Sequence, residues 1–243
     1  MSAAFEELDY CPTPLGALSL RRRRELKLGV DVFEIKLGEE SLMSSLFTES
    51  EIALARLGLA GLRGEGLEVV VGGLGLGYTA KAVLEHPAVT SLIVVDALAP
   101  VIEWHETGVL PLGSGLTGDP RCRFVLGDFF ALSGSEAGFD PDAPGRRFDA
   151  ILVDIDHSPA FLLDARSEPF YQPAGLRQLK AHLRPQGMFG LWSNDLPDEA
   201  FVGRLAGVFA QARAEPVTFH NPLQDRPFTQ TIYLSKEQSD PAP

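Results

Sequence analysis

From Leu67 onward, short runs rich in β-branched residues alternate with segments of helical periodicity, and this alternation constrains the fold more than anything else in the chain. The strand-like runs are Glu68–Val71, Leu92–Asp96, Arg123–Leu126, Phe148–Asp154, Met188–Trp192, Val217–Phe219 and Thr229–Leu234. Between them lie helical patterns over Tyr78–His86, Ala99–Glu106, Ala174–Leu183 and Asp198–Phe209, the first stopped by Pro87 and the third by Pro185-Gln186-Gly187. Continuous apolar strands separated by helices require a parallel sheet buried on both faces. The last two strands are joined only by His220–Phe228, too short a link for a parallel crossover, so the C-terminal edge should be antiparallel. The expected fold is therefore α/β: a Rossmann-like, mostly parallel seven-stranded sheet with an antiparallel C-terminal edge.

Residues 1–47 carry a different pattern. Leu18 and Leu20, then Phe33, Ile35 and Leu37, alternate with small or polar neighbours, as half-buried antiparallel strands do. This piece is too short to bury a core alone and should pack on the larger domain, residues 48–243. The boundary falls at Thr48-Glu49-Ser50-Glu51, where Thr48 and Glu51 form a capping-box signature. Residues 131–146, rich in Gly, Pro and polar groups, read as a surface insertion. Glu103, His105 and His182 read as solvent-facing, with Trp104 turned inward.

Charge and cysteine content narrow the function. The 243 residues hold 21 Lys+Arg against 33 Asp+Glu, a formal net charge of −12, which opposes binding to a phosphate backbone. The run Arg21–Arg24 reads as a solvated, edge-protecting stretch, so no nucleic-acid partner is expected. Two cysteines, Cys11 and Cys122, make no disulfide framework and show no metal-ligand spacing. No apolar run approaches a membrane span, and Met1 to Tyr10 is acidic, unlike a signal peptide. A cytoplasmic protein is expected.

In an open parallel sheet, ligands bind at the carboxyl ends of the strands. Gly72-Gly73-Leu74-Gly75-Leu76-Gly77 follows one strand and opens a helix, which lets the backbone approach a ligand. A dinucleotide fingerprint counted from Gly73 would need glycine where Tyr78 stands. The spacing of Gly73, Gly75 and Gly77 fits instead a loop that holds an adenosyl amino acid. Asp96, 19 residues past Gly77, is placed to accept both hydroxyls of a ribose. Asp128, beside Phe129, suits an adenine amino group and an apolar wall, although a Gly-Asp pair equally serves a turn. Asp154-Ile155-Asp156-His157 ends the most apolar strand with groups able to bind an ammonium or take a proton. Asp154 is the leading candidate and His157 its possible aid. Trp192-Ser193-Asn194-Asp195 ends a strand on the same side, and His220-Asn221-Pro222 reads as a hairpin loop.

With these residues the chain resembles the spermidine synthase (polyamine aminopropyltransferase) family of the class I S-adenosylmethionine-dependent transferase superfamily. The resemblance covers nearly the whole length, through Gly72–Gly77, Val95-Asp96, Asp119-Pro120-Arg121, Gly127-Asp128, Phe148–Asp154, Phe170-Tyr171 and Leu183–Gly187. It implies that Asp96 binds ribose, Asp128 adenine, and Asp154 the attacking amine. There are departures. His157 stands where the family has a second catalytic-loop acid, and Met43 or a neighbour where it has a glutamine. Glu51–Arg56 holds no Tyr-His pair, and Leu74, Gly75 and Leu76 replace Gly, Asp and Gly. A preserved adenosyl set beside a reduced polyamine set leads to an S-adenosylmethionine-dependent methyltransferase of a small amine- or hydroxyl-bearing acceptor as the first expectation, with no metal required. The alternatives are an aminopropyltransferase using decarboxylated S-adenosylmethionine, and a non-catalytic binding or assembly module. Exposed alternation in the N-terminal strands would permit pairing across a homodimer.

Overall fold

The computed structural model describes residues 5–237; Met1–Ala4 of the acidic N-terminal stretch lie outside them. The chain opens with β1 (Phe5–Thr13), β2 (Gly16–Glu25), β3 (Val30–Leu37) and β4 (Glu40–Ser44), an antiparallel meander in sequential order. Four strands form where the alternation predicts two: β1 mixes exposed Phe5 and Tyr10 with Glu7 and Asp9 and shifts register between the two acids, and β4 is only 5 residues long, so neither carries a clean alternation. The inward residues Leu18, Leu20 and Ile35 join the same apolar cluster as Leu54, Val71 and Leu152 of the large sheet. Trp104 Nε1 donates to Asp9 Oδ2 at 2.6 Å, and Lys27 Nζ to the Pro222 carbonyl at 2.7 Å, tying this sheet to the rest. The arginine run is neutralised in place: Arg21 meets Glu7, Arg22 meets Glu6, Arg23 meets Glu25 and Glu34, and Arg24 meets Asp31.

After α1 (Glu49–Ala60) come β5 (Leu67–Gly72), α2 (Tyr78–Leu84), β6 (Val89–Asp96), α3 (Ala99–Glu106), α4 (Gly113–Thr117), β7 (Cys122–Leu126) and α5 (Phe129–Ser133). The chain then returns through β8 (Phe148–Val153), a 3-10 segment at Ala165–Tyr171, α6 (Pro173–Lys180), β9 (Leu183–Ser193), α7 (Glu199–Ala206), β10 (Gln211–Asn221) and β11 (Arg226–Lys236). The seven-stranded sheet has the order β10-β11-β9-β8-β5-β6-β7. Pairings among β9, β8, β5, β6 and β7 are parallel, and those of β11 with β9 and β10 are antiparallel. No described helix is long and apolar enough to cross a membrane.

Strand alternation divides the core between the two faces. Val69, Val71, Leu92, Val94 and Leu152 pack under α1, α2 and α3. Val70, Ile93, Val95, Ile151 and Val153 pack against Phe129, Leu176, Leu179, Phe201 and Leu205 of α5, α6 and α7. The insertion at 131–146 is only partly a surface loop. Phe139 is fully buried, stacking on Phe129 with centroids 4.9 Å apart, and buried Asp140 ties Arg123 to Arg146. His105 and His182 are buried rather than solvent-facing: their Nε2 atoms meet the Gly75 carbonyl at 2.9 Å and the Ser133 carbonyl at 3.1 Å. In each case the backbone carbonyl supplies the polar partner that makes burial tolerable.

Candidate active site

The strand order reverses between β5 and β8, and the cavity opens at their carboxyl ends, where doubly wound sheets place their ligands. It has a volume of about 970 Å³, ample for a nucleoside and a second small molecule. Gly72 and Val95 carry the loop into it: the Gly72 carbonyl accepts from Asp154 N–H at 2.8 Å, and Gly73 N–H donates to the Val95 carbonyl at 2.9 Å. Gly73 has φ +91°, and a Cβ there would lie 2.0 Å from the Asp154 carbonyl oxygen. Only glycine allows this approach. Gly75, at φ +47°, faces Met43 Sδ, which a Cβ would meet at 2.7 Å. Gly73, Gly75 and Met43 all line the cavity. Gly77 does not. Its missing side chain makes room for Leu116 and His105 beneath the loop, so its role is packing.

Asp96 ends β6 at the cavity wall. Its Oδ2 accepts from Leu74 N–H and its Oδ1 from Leu98 N–H, both at 2.8 Å. The carboxylate thus orients the glycine loop, Gly75 N–H included, and keeps remaining acceptor capacity for a ligand hydroxyl. Burial raises its pKa, opposed by those N–H groups. Asp128 caps α5, its Oδ1 accepting from Phe130 and Ala131 N–H, and also lines the cavity. Phe129 is nearly wholly buried, its ring packed beneath Gly72 and against Phe139, so it offers the cavity little surface.

Asp154 follows β8 and accepts from Thr79 Oγ1 at 2.7 Å through Oδ2. Asp156 turns elsewhere. Its Oδ2 takes the Tyr171 hydroxyl and its Oδ1 the Leu163 N–H, each at 2.7 Å, so it pins the segment that walls the cavity. His157 sits on the lining with Nε2 3.5 Å from Glu40 Oε1 and its ring edge-on to Phe161. Trp192 lines the cavity, whereas His220 lies beside Asp225 at the β-hairpin end and does not.

Glu51 is the residue that sequence reasoning misses. No side chain caps α1 from Thr48, and the expected capping box is not formed. Instead Glu51 is buried, lines the cavity and bonds to Ser50 Oγ at 2.8 Å. Burial, and then the charge of Asp154, push its carboxyl well above the usual range; burial does the same for Asp154. Neither carboxyl has an ion-pair partner among the described residues. Among the described residues of the lining, the only side chains able to carry positive charge are His157 and Arg166, the latter held by Asp164. No described group of three or more His, Cys, Asp or Glu is arranged to hold a metal ion.

No family model matches the chain. It is similar to a polyamine aminopropyltransferase 2 of Pseudomonas aeruginosa, 27% identical over 161 residues, which cover 62% of this chain and 42% of that protein. The match thus spans less than half of the curated relative's length. Among solved structures, a spermidine synthase in complex with the transition-state analogue AdoDATO superposes with TM-score 0.72 at 16% identity, over 96% of this chain and 74% of the other. The spermidine synthase of Thermotoga maritima gives 0.71 at 17%, with the same coverage. These findings correct the expectation of methyl transfer: the sequence relative is an aminopropyltransferase, and the structural neighbours are spermidine synthases. The expectation rested on a depleted acid set, but the fold brings in Glu51, a carboxyl that sequence spacing does not associate with Asp154. The chain is spermidine synthase-like, in its fold throughout and in its sequence over the matched part.

Proposed function

We propose that this protein transfers an aminopropyl group from decarboxylated S-adenosylmethionine to an amine of a small polyamine-type acceptor. The observation that carries the reading is the pair of carboxyls, buried Glu51 and half-buried Asp154, facing a cavity beside the glycine loop with no protein cation to neutralise them. A largely desolvated carboxyl pair of this kind is completed by a ligand that brings positive charge. The lining also offers no free cation to hold an amino-acid carboxylate, which favours a donor that has lost that group.

In this reading Gly73 and Gly75 let the backbone approach the nucleoside, Asp96 accepts the ribose hydroxyls, and Asp128 accepts the adenine amino group. Asp154 accepts a proton from the acceptor's ammonium and orients the freed lone pair. The donor supplies a carbon activated by sulfonium: the C–N bond forms as the C–S bond breaks, its electron pair stays on sulfur, and methylthioadenosine leaves. His157 is at most an auxiliary, since its ring is engaged by Phe161 and Glu40. A homodimer through the edges of the N-terminal sheet and a cytoplasmic, reducing setting belong to the same proposal; Cys11 and Cys122 are both free.

The test is release of methylthioadenosine from decarboxylated S-adenosylmethionine in the presence of putrescine or a longer diamine. Asp154→Asn should lower turnover by about a hundredfold or more while leaving methylthioadenosine affinity near wild type. No release with any diamine, or full activity in the variant, refutes the proposal.

A further inference from the structure

The hydrogen-bond count around Ser50 bears on where the proton of Glu51 sits. Ser50 Oγ has three partners: Trp192 Nε1 at 2.9 Å, Gln230 Oε1 at 2.6 Å and Glu51 Oε2 at 2.8 Å. Indole N–H only donates, so one hydroxyl lone pair is taken. Gln230 Nε2 donates to Asn194 Oδ1 at 3.0 Å, which turns Oε1 toward Ser50 as a pure acceptor and takes the hydroxyl's single hydrogen. Ser50 has one hydrogen for two acceptors, Gln230 Oε1 at 2.6 Å and Glu51 Oε2 at 2.8 Å; with the hydrogen on the shorter contact, the longer one is a hydrogen bond when the carboxyl donates. From this arrangement we infer that Glu51 stands protonated in the free enzyme and ionises when the acceptor's ammonium enters, becoming the second anionic ligand of a cationic substrate.

The surroundings agree with this. Asp154 at the end of β8, Glu49 on α1 and Tyr78 on α2 are the titratable groups that act on Glu51, and none is a cation. Ser50 Oγ is the partner of the Glu51 carboxyl, and Trp192 is bonded to Ser50; Thr79 Oγ1 lies 3.3 Å from the Glu51 backbone carbonyl oxygen and 2.7 Å from Asp154 Oδ2. With both carboxyls ionised the empty site would hold two like charges shielded from water, and a proton on Glu51 removes one of them. An arriving ammonium reverses the balance. Glu51 would thereby supply the acid that His157 does not, on a different element, and would make acceptor uptake release a proton.

The inference rests on the aminopropyl-transfer reading, and its test separates the two. Calorimetry of putrescine binding to the full-length protein with methylthioadenosine, at neutral pH in two buffers of different ionisation enthalpy, should show release of about one proton per diamine. Glu51→Gln keeps a donor toward Ser50 but cannot ionise. It should abolish the release and raise the diamine KM about tenfold or more, with a smaller change in kcat and unchanged methylthioadenosine affinity. Glu51→Asp should restore part of the release. Diamine binding by wild type without proton release overturns the role of Glu51 and leaves aminopropyl transfer standing, as does a wild-type diamine KM in Glu51→Gln. Failure of wild type either to bind or to turn over any diamine overturns both. The wild-type measurement decides the matter even if a variant fails to fold.

Discussion

Replacing Gly73 by alanine tests whether the glycine loop and the strand end that carries Asp154 form one rigid unit. The new Cβ would sit 2.0 Å from the Asp154 carbonyl oxygen, a contact between two backbone-anchored atoms that no rotamer can relieve. Relief needs a relative shift of about 1.5 Å between loop and strand, to reach ordinary van der Waals separation. The φ of +91° adds about 1–2 kcal/mol for an L side chain. The shift strains the bonds from Asp154 N–H to the Gly72 carbonyl and from Gly73 N–H to the Val95 carbonyl, at about 1 kcal/mol each. The total is about 3–4 kcal/mol, or a fall of about 10 °C in Tm for a chain of this size. Gly108 is the internal control: it has φ +74° with nothing within 4 Å of the place a methyl group would take, so Gly108→Ala carries only the backbone cost. Scanning calorimetry should place Gly73→Ala well below Gly108→Ala, and titration with methylthioadenosine should show binding lost only in the former. Equal melting of the two variants, or normal binding by Gly73→Ala, would refute the close-approach argument.

Two further outcomes follow from the buried carboxyls. Glu51 and Asp154 have folded-state pKa values raised above their unfolded ones, so the folded state binds more protons; their contribution to stability is full below the ordinary carboxylate range and is lost as pH rises through the raised values. Melting followed by circular dichroism from about pH 5 to about pH 8 should show a decline that Glu51→Gln flattens; a decline unchanged in the variant would assign it elsewhere. Tyr171→Phe removes the donor to buried Asp156 and should cost about 1–3 kcal/mol in denaturant titration, with faster proteolysis of the segment between Ile155 and Tyr171. Wild-type stability and proteolysis would show that Asp156 does not pin that wall.

The parts legible in the sequence are those where one physical demand acts alone. Strands β5, β6 and β8 must bury both faces, so their central runs Val69–Val71, Leu92–Val95 and Ala150–Val153 are apolar without interruption, and their positions match the expectation to within a few residues. Gly73 and Asp96 stand at strand ends, where only a close backbone approach or a ligand explains their type. Strands β10 and β11 each run 11 residues, longer than expected, because one lies at the sheet edge and pairing continues past the apolar stretch. His105 and His182 look solvent-facing because their neighbours are charged, yet each is buried by a backbone carbonyl acceptor that leaves no mark in the pattern. Glu51 shows the same ambiguity at the site itself. A glutamate three residues after a threonine satisfies a local helix-start rule, and local rules assign it to the backbone. What overrides them is long-range: Trp192 from β9 and Gln230 from β11 occupy Ser50, Asp154 from β8 faces Glu51, and the acid turns into the cavity. A second acid supplied from α1, far in sequence from Asp154, therefore becomes visible only when the strands that surround it are assembled. Losses read along one loop do not measure the charge of a site built from four elements.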